Sequence, residues 1–387
     1  MNAVKAWTDR NLKGDPVIWF IVFAFSIISI LVVYSATGTL AYRRSSTPEA
    51  FLLKHSALII LGLVAVWVSH KIDYRYYSKL SRFALMASVP LLLYAFFFGD
   101  SINEASRWIR IPIINQSFQP SDLAKLALIA NVAAMLSKRQ QNIDDFKAAL
   151  IPVLLWCGVI CGLIALSNFS TAVLLFATCM LLMFIGRVPV KYLLMLVLIG
   201  ALAGSLALAL GTRGKTVISR IQNFISPTEV PYQAQQSYIA IATGGVIGKG
   251  AGHSAQRNRL PFAESDYIYA IVVEEYGLVG GVTVLFLYLA LLYRGMIAVA
   301  NSERAFGGLL SAGVTFALVI QAMVNIGVSV GLLPVTGQPL PMISMGGTSL
   351  LFTGLSIGIV LSVSKGEVEE VNMQVKSGNR SKISKAA

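Results

Sequence analysis

Charge is scarce in this chain. Of 387 residues only 18 are Asp or Glu, all four charged types together make up 13%, and there are three His and three Cys. Each shortage excludes something. Soluble domains carry charge on about a quarter of their residues. A chain at half that level, 56% hydrophobic with mean hydropathy +0.71, cannot present a polar surface to water on every side. Cys157, Cys161 and Cys179 all fall in apolar stretches without nearby His or acids, which excludes a disulfide framework and a zinc-ligand spacing. Cys157 and Cys161 are four apart, share a helix face and read as packing. A phosphate loop is missing too. GGVIGKGAG at 244–252 is glycine-rich, but Gly250 follows Lys249 where Ser or Thr is required.

What is present is long apolar sequence. A membrane span needs about 20 mostly apolar residues. Ten stretches qualify: 16–36, 52–70, 83–99, 121–137, 149–166, 170–186, 191–210, 267–293, 307–330 and 346–364. The expected fold is an all-α integral membrane protein, with a short segment 1–15, a ten-span body 16–364 and a polar, unstructured tail 365–387. The first stretch reads as a retained helix, since no small-residue cleavage site follows a short apolar core. Most Lys and Arg residues gather in alternate short loops, among them Lys71, Arg75, Lys79, Arg82, Lys138, Arg139 and Arg187. By the positive-inside rule those loops and both termini are cytoplasmic. The net charge of +13 follows from this bias and does not call for a nucleic-acid partner.

Polar residues collect on the opposite, outer face, in loops 100–120, 211–265 and 331–345. In QPSDLAKLALI (119–129), Pro120, Ser121 and Asp122 read as a helix start. Asp122 and Lys125 share a face just inside the membrane, either as a mutually neutralising pair or as a charge facing a polar cavity. In ASRWIRI (105–111), Arg107 and Arg110 flank Trp108. The Trp fits an interfacial anchor, and the arginines equally fit phosphate recognition. In the large loop, QQSYIAIATGGVIG suits a short amphipathic helix at the interface. Lys249, His253, Arg257 and Arg259 then lead to Glu264 and Asp266, a grouping that suits an anionic lipid headgroup with a bound metal. Four acids, Glu264, Asp266, Glu274 and Glu275, crowd the start of an apolar run. On a regular helix Glu274 lies about 12 Å deeper than Asp266 and about 80° around, with Glu275 nearly opposite. Asp266 at the mouth is then the better candidate base, with Glu264 second, and the deeper pair holds helices together or orients a cation.

Taken in order, RWI…FQPSDLAKLALI, QQSYIAIATGGVIGKGAGHS, AESDYIYAIVVEEYGLVGG and NIGVSVGLLPVTGQPLPMISMGGTSLL resemble the landmarks of the SEDS family (shape, elongation, division and sporulation proteins). The resemblance runs from about residue 15 to 364. It implies a ten-span fold and a peptidoglycan glycosyltransferase that joins lipid II into glycan strands. The family's essential Asp falls on Asp266, its Arg–Trp pair on Arg107 and Trp108, and its acid and Lys on Asp122 and Lys125, with Asp in place of the usual Glu. SNFSTA (167–172) departs from the family's Pro-Asp-x-Gly-Thr-Ala, so no charged role is assigned to Asn168 or Ser170, and Met345 stands in a motif that more often reads SYGG. GQPLPMISMGGTS is closer to the division branch than to the elongation branch.

The resemblance implies Asp266 as general base on the acceptor hydroxyl. It implies positive charge for the leaving pyrophosphate, from a divalent cation (Mg²⁺ or Mn²⁺) or from Arg107, Lys125, Lys249 and Arg257, the first two foremost. It also implies lipid II and nascent glycan as ligands, a class B penicillin-binding transpeptidase and other divisome proteins as partners, and a place in the bacterial cytoplasmic membrane at the septum. No nucleotide is needed, because the donor is already activated. A lipid-precursor flippase and a non-catalytic division scaffold are the competing readings. A flippase needs access from both faces and often shows paired half-repeats, which this chain lacks. A scaffold would tolerate loss of Asp266.

Overall fold

The computed structural model describes residues 11–38, 47–102, 105–111, 116–143, 147, 150–210, 214–225 and 230–384. Among them twelve α-helices follow in order: α1 Pro16–Ala36, α2 Pro48–Lys71, α3 Tyr74–Phe98, α4 Pro120–Lys138, α5 Ile151–Ser167, α6 Phe169–Ile185, α7 Val190–Leu210, α8 Gly214–Ile225, α9 Tyr232–Gly244, α10 Ile268–Ala300, α11 Ala305–Ser329 and α12 Gly347–Ser384. A helix stands at each of the ten apolar stretches. By length and composition α1, α2, α3, α10, α11 and the Gly347–Lys365 part of α12 are able to cross a membrane, while α5 and α6 are apolar helices of 17 residues. Starts follow local chemistry. Asp15, Thr47 and Asp73 accept hydrogen bonds from first-turn N–H groups of α1, α2 and α3, and Pro opens α1, α2 and α4.

Three expectations change. The chain is not purely helical, because residues 100–118 fold into an antiparallel sheet of β1 Asp100–Ile102, β2 Ala105–Ile111 and β3 Gln116–Phe118. Trp108, Ile109 and Ile111 are aromatic and β-branched residues of the kind that favour strands. Second, α12 runs through the tail to Ser384, whose sequence contains no Pro and several strong helix formers. Third, α10 is not regular. Its helix starts after Asp266, at Ile268, and breaks at Gly277, where φ is 68° and ψ −168°. The depth and angle expected for Glu274 relative to Asp266 therefore do not apply.

Close approaches of small residues and a few polar links tie the bundle together. α12 lies along α2, where a Cβ on Gly354 would stand 2.4 Å from the Gly62 carbonyl oxygen and one on Gly358 1.9 Å from Ser69 Oγ. The pair, four apart on one face, is a small-residue seam of the kind that lets membrane helices touch. At the basic end Asp15 joins three helices. It caps α1, its carboxylate accepts from Arg294 Nε of α10 at 2.5 Å, and its N–H donates to Ser364 Oγ of α12 at 3.1 Å. At the other end residues 338–344 are buried, except for half-buried Pro339. Tyr288 donates to the Pro341 carbonyl, and Ser29 donates to the Ile343 carbonyl at 2.7 Å, so buried backbone polar groups there are satisfied by protein.

Candidate active site

The break in α10 explains the glycine-rich loop. Beyond Gly277 the helix loses its regular hydrogen bonds, and the 245–250 segment replaces them. Lys249 N and Gly250 N donate to the carbonyls of Glu274 and Glu275 at 3.0 and 2.9 Å, while Leu278 N and Val279 N donate to those of Gly245 and Val246 at 2.9 and 3.2 Å. The two backbones touch. A Cβ on Gly277 would stand 2.2 Å from the Val246 carbonyl oxygen and one on Gly248 2.2 Å from that of Glu275, so neither position has room for a side chain.

The deep acids clamp this loop. Glu274 is fully buried and accepts from Lys249 Nζ at 2.6 Å, Ala255 N at 3.1 Å, Gln256 N at 3.3 Å and Ser254 Oγ. Glu275 accepts from Ser35 Oγ of α1 and from Ser254 N at 3.3 Å. Arg257 Nη1 donates to the Ser35 carbonyl and Oγ at 3.3 and 3.2 Å. Lys249 and Arg257, read in the sequence as pyrophosphate ligands, thus bond to Glu274 and to Ser35. α9, expected to lie at the interface, packs on α10 and α11, with Ser237 Oγ donating to the Ser329 carbonyl at 2.9 Å.

Asp266 sits in a turn just ahead of α10. Two chain reversals meet there, each holding a non-glycine residue at positive φ: Phe262 at 59° and Met342 at 64°. Such residues cost about 1–3 kcal/mol each and persist only where their surroundings impose them. Here Met345 N donates to the Glu264 carbonyl at 2.8 Å and Ser344 Oγ to the Ser265 carbonyl at 2.6 Å, clasping the turns together. Asn325 of α11 donates to the carbonyls of both Asp266 and Gln338 at 2.7 Å. Asp266 shares a narrow pocket with Asn325, Thr336, Gly337 and Gln338, and a Cβ on Gly337 would stand 3.6 Å from Asp266 Oδ2. Arg220 of α8 donates to the carbonyl of Val335, another lining residue, at 3.3 Å. Glu264 is half-buried in the same turn.

Asp122 and Lys125 open a second space. Lys125 Nζ lies 2.9 Å from Asp122 Oδ1, and Asp122 Oδ2 is buried with no hydrogen-bond partner. They line a partly open cleft between α4, α6, α11 and α12, whose other polar walls include Thr171, Gln321 and Gln338. Gln338 belongs to both spaces. It lines the Asp266 pocket and the Lys125 cavity, and its Nε2 donates to Thr171 Oγ1 at 2.8 Å. Asn168 caps α6 through Thr171 N at 3.2 Å, a neutral role in keeping with the sequence. Trp108 is half-buried on β2, paired across the sheet with Asp100. Arg107 lies on the same strand, and its side chain is outside the described residues.

Sequence reasoning missed Asn325, Gln338, Gln321, Thr171 and Arg220. Gln321 and Asn325 carried a signal, amides four apart in an otherwise apolar helix. Helix α8 carried one too: Val217, Ile218, Ile221, Phe224 and Ile225 recur at helical spacing beside Arg220.

Among the described residues no three His, Cys, Asp or Glu side chains gather as a metal cage. The donor set does fit a hard cation shared with substrate phosphates, which needs only one or two protein carboxylates. The unpartnered Asp122 Oδ2 is such a donor.

A sequence profile of the cell cycle protein family FTSW_RODA_SPOVE matches residues 15–369. A probable peptidoglycan glycosyltransferase FtsW from Geobacter metallireducens is 34% identical over 363 residues, covering 92% of this chain and 96% of that protein. Stage V sporulation protein E of Bacillus subtilis is 30% identical over 369 residues, covering 92% and 99%. Among solved structures, a chain from a study of how a peptidoglycan synthase complex coordinates polymerization and crosslinking superposes with TM-score 0.71 at 27% identity, covering 91% of this chain and 98% of that one. The rod shape determining protein RodA of Thermus thermophilus shares the fold, with TM-score 0.66 at 24% identity and coverage of 91% and 97%.

Proposed function

Because the chain belongs to the FtsW, RodA and SpoVE family of cell cycle proteins, we propose that it is a multi-pass membrane peptidoglycan glycosyltransferase that polymerises lipid II at the outer face of the bacterial cytoplasmic membrane. In this reading ten helices span the bilayer, both termini are cytoplasmic, and loops 100–120, 211–265 and 331–345 face outward. The observation that carries the proposal is Gln338, which lines both the Asp266 pocket and the Lys125–Asp122 cavity. One carboxylate able to take a proton and one cation able to meet an anionic leaving group thus stand on either side of a single side chain.

Asp266 accepts the proton of the acceptor's 4-hydroxyl as that oxygen bonds to the donor's anomeric carbon. The bond from that carbon to the pyrophosphate oxygen breaks, and undecaprenyl pyrophosphate leaves with the bonding pair. Inverting displacement needs base and leaving group on opposite sides of the sugar, which suits two adjoining spaces better than one. Lys125, held by Asp122 and half-exposed to the cavity, meets the pyrophosphate. A divalent cation held by Asp122 Oδ2 and phosphate oxygens would add charge neutralisation there. Arg107 and Trp108 on the outer sheet are further substrate contacts, and Glu264 supports Asp266. The apolar walls of the cavity, Leu126, Ile129 and Leu174, suit a polyprenyl chain. The division role follows the FtsW-named relatives and the sequence of the 337–349 loop, with elongation as the alternative. A class B penicillin-binding transpeptidase is the proposed partner, by analogy with the synthase complex.

The test is purification with the cognate transpeptidase, addition of lipid II and a divalent cation, and measurement of glycan polymer on a gel for wild type and Asp266→Ala. Polymer from wild type that vanishes in an intact variant complex supports the proposal. Equal polymer from both removes Asp266 and turns attention to Glu264. An intact wild-type complex that makes none shifts the reading to a flippase or a scaffold.

A further inference from the structure

A second large cavity lies at the opposite, basic end of the bundle, where α3 begins, α4 ends and α5 begins. Its volume is about 510 Å³. Three of its lining residues are cations, Arg82, Lys138 and Arg139, and no Asp or Glu is among the described residues that line it. None of the three has an ion-pair partner among the described residues. Met86, Met135 and Trp156 make the wall apolar on the side away from the charges.

The order of these residues along the helices is informative. Arg82 lies eight residues into α3 and Asn131 seven residues before the end of α4, so both sit roughly 10–12 Å from the helix ends. The positive-inside rule accounts for each of the three cations singly. It does not account for their convergence, from α3 and from the end of α4, on one apolar-walled cleft. Asn131, 5% exposed, adds an amide to the same wall.

We propose that this cavity binds the headgroup of an anionic phospholipid from the adjacent leaflet. Arg82 and Arg139 grip the phosphodiester oxygens, and Asn131 donates to the ester region. Lys138 supplies further positive charge at the rim, and the acyl chains lie over Met86, Met135 and Trp156. Basic cavities between membrane helices that pair cations with an apolar floor suit such lipids, and guanidinium forks match phosphate better than ammonium groups do. The proposal needs the membrane-spanning fold and not the glycosyltransferase chemistry.

Trp156 is a built-in reporter. The full-length protein is reconstituted in nanodiscs with a small fraction of dibrominated phosphatidylglycerol or of dibrominated phosphatidylcholine. The fluorescence lost in wild type but not in Trp156→Phe is the signal from this site. The expected result is stronger quenching by the anionic lipid, with apparent affinity falling about fivefold for each cation removed in Arg82→Gln and Arg139→Gln. Asn131→Leu, which keeps every charge, should weaken quenching by the anionic lipid as well. Unchanged melting temperature in detergent identifies variants that are folded. Equal quenching by both lipids, or quenching unaffected in folded Arg82→Gln, overturns the proposal. Relief of quenching by millimolar inorganic phosphate assigns the site to a soluble anion and overturns the lipid as its ligand.

Discussion

At the residue scale the proposed chemistry rests on side chains that hold other side chains. Asn325 grips the backbone on both sides of the pocket, at Asp266 and at Gln338. Asn325→Ala should therefore lower the polymerisation rate by about 10²-fold while the complex still assembles, since misplacement by an ångström costs about that much. A single-turnover assay with lipid II checks it. Lys125→Met should lower the rate by about 10²–10³-fold, the cost of one lost charge-stabilising donor. It also leaves Asp122 buried without its partner, so melting temperature must be read alongside activity. Asp266 and Lys125 were legible in the sequence because charge is rare in apolar surroundings. Asn325 and Gln338 were not, because an amide in a span or a Pro-rich loop has many structural uses, and only proximity to Asp266 distinguishes these two.

At the element scale the broken helix α10 and the 245–250 segment form one unit. Gly277→Ala places a methyl 2.2 Å from the Val246 carbonyl oxygen at a φ of 68°. It should cost several kcal/mol, about the upper range for single substitutions, read as a fall in melting temperature in detergent. Lys249→Met strands a fully buried carboxylate at Glu274, which should cost about 3–5 kcal/mol. Lys249→Met combined with Glu274→Gln should recover part of that loss, because the uncompensated charge is gone. Recovery in the double variant separates a clamp from a substrate contact, which the second substitution could not restore. Nothing local in GGVIGKG announces this role. Glycines at 244, 245, 248 and 250 are compatible with a flexible loop, and their necessity appears only when another backbone lies against them.

At the scale of the whole molecule, charge bias sets the proposed orientation and small residues set the packing. A fluorescent protein fused after Ala387 should be bright and an alkaline phosphatase fusion there inactive, since both report a cytoplasmic C-terminus; the opposite pair of results would invert the topology. The Asp15–Arg294 link lies at the basic end and the clasp of the 262–266 and 340–345 turns at the other. One end of the bundle is thus tied by charge and the other by buried backbone.

Hydropathy alone determined where the ten long apolar helices form, because apolar runs of span length have few other stable arrangements in a bilayer, and a helix stands at all ten. It also marked Asp122, Lys125 and Asp266, since each charge in so apolar a chain is expensive. Tertiary structure decided the rest. Which cations serve a carboxylate and which face a cavity depends on neighbours distant in sequence: Lys249 meets Glu274 25 residues on, and Arg257 meets Ser35 222 residues back. The bridge from Asp266 to the Lys125 cavity runs through Gln338, set between α6 and α11 by bonds to Thr171 and Asn325. Periodicity reports which face of a helix is apolar, but the partner across that face is set only when the bundle closes.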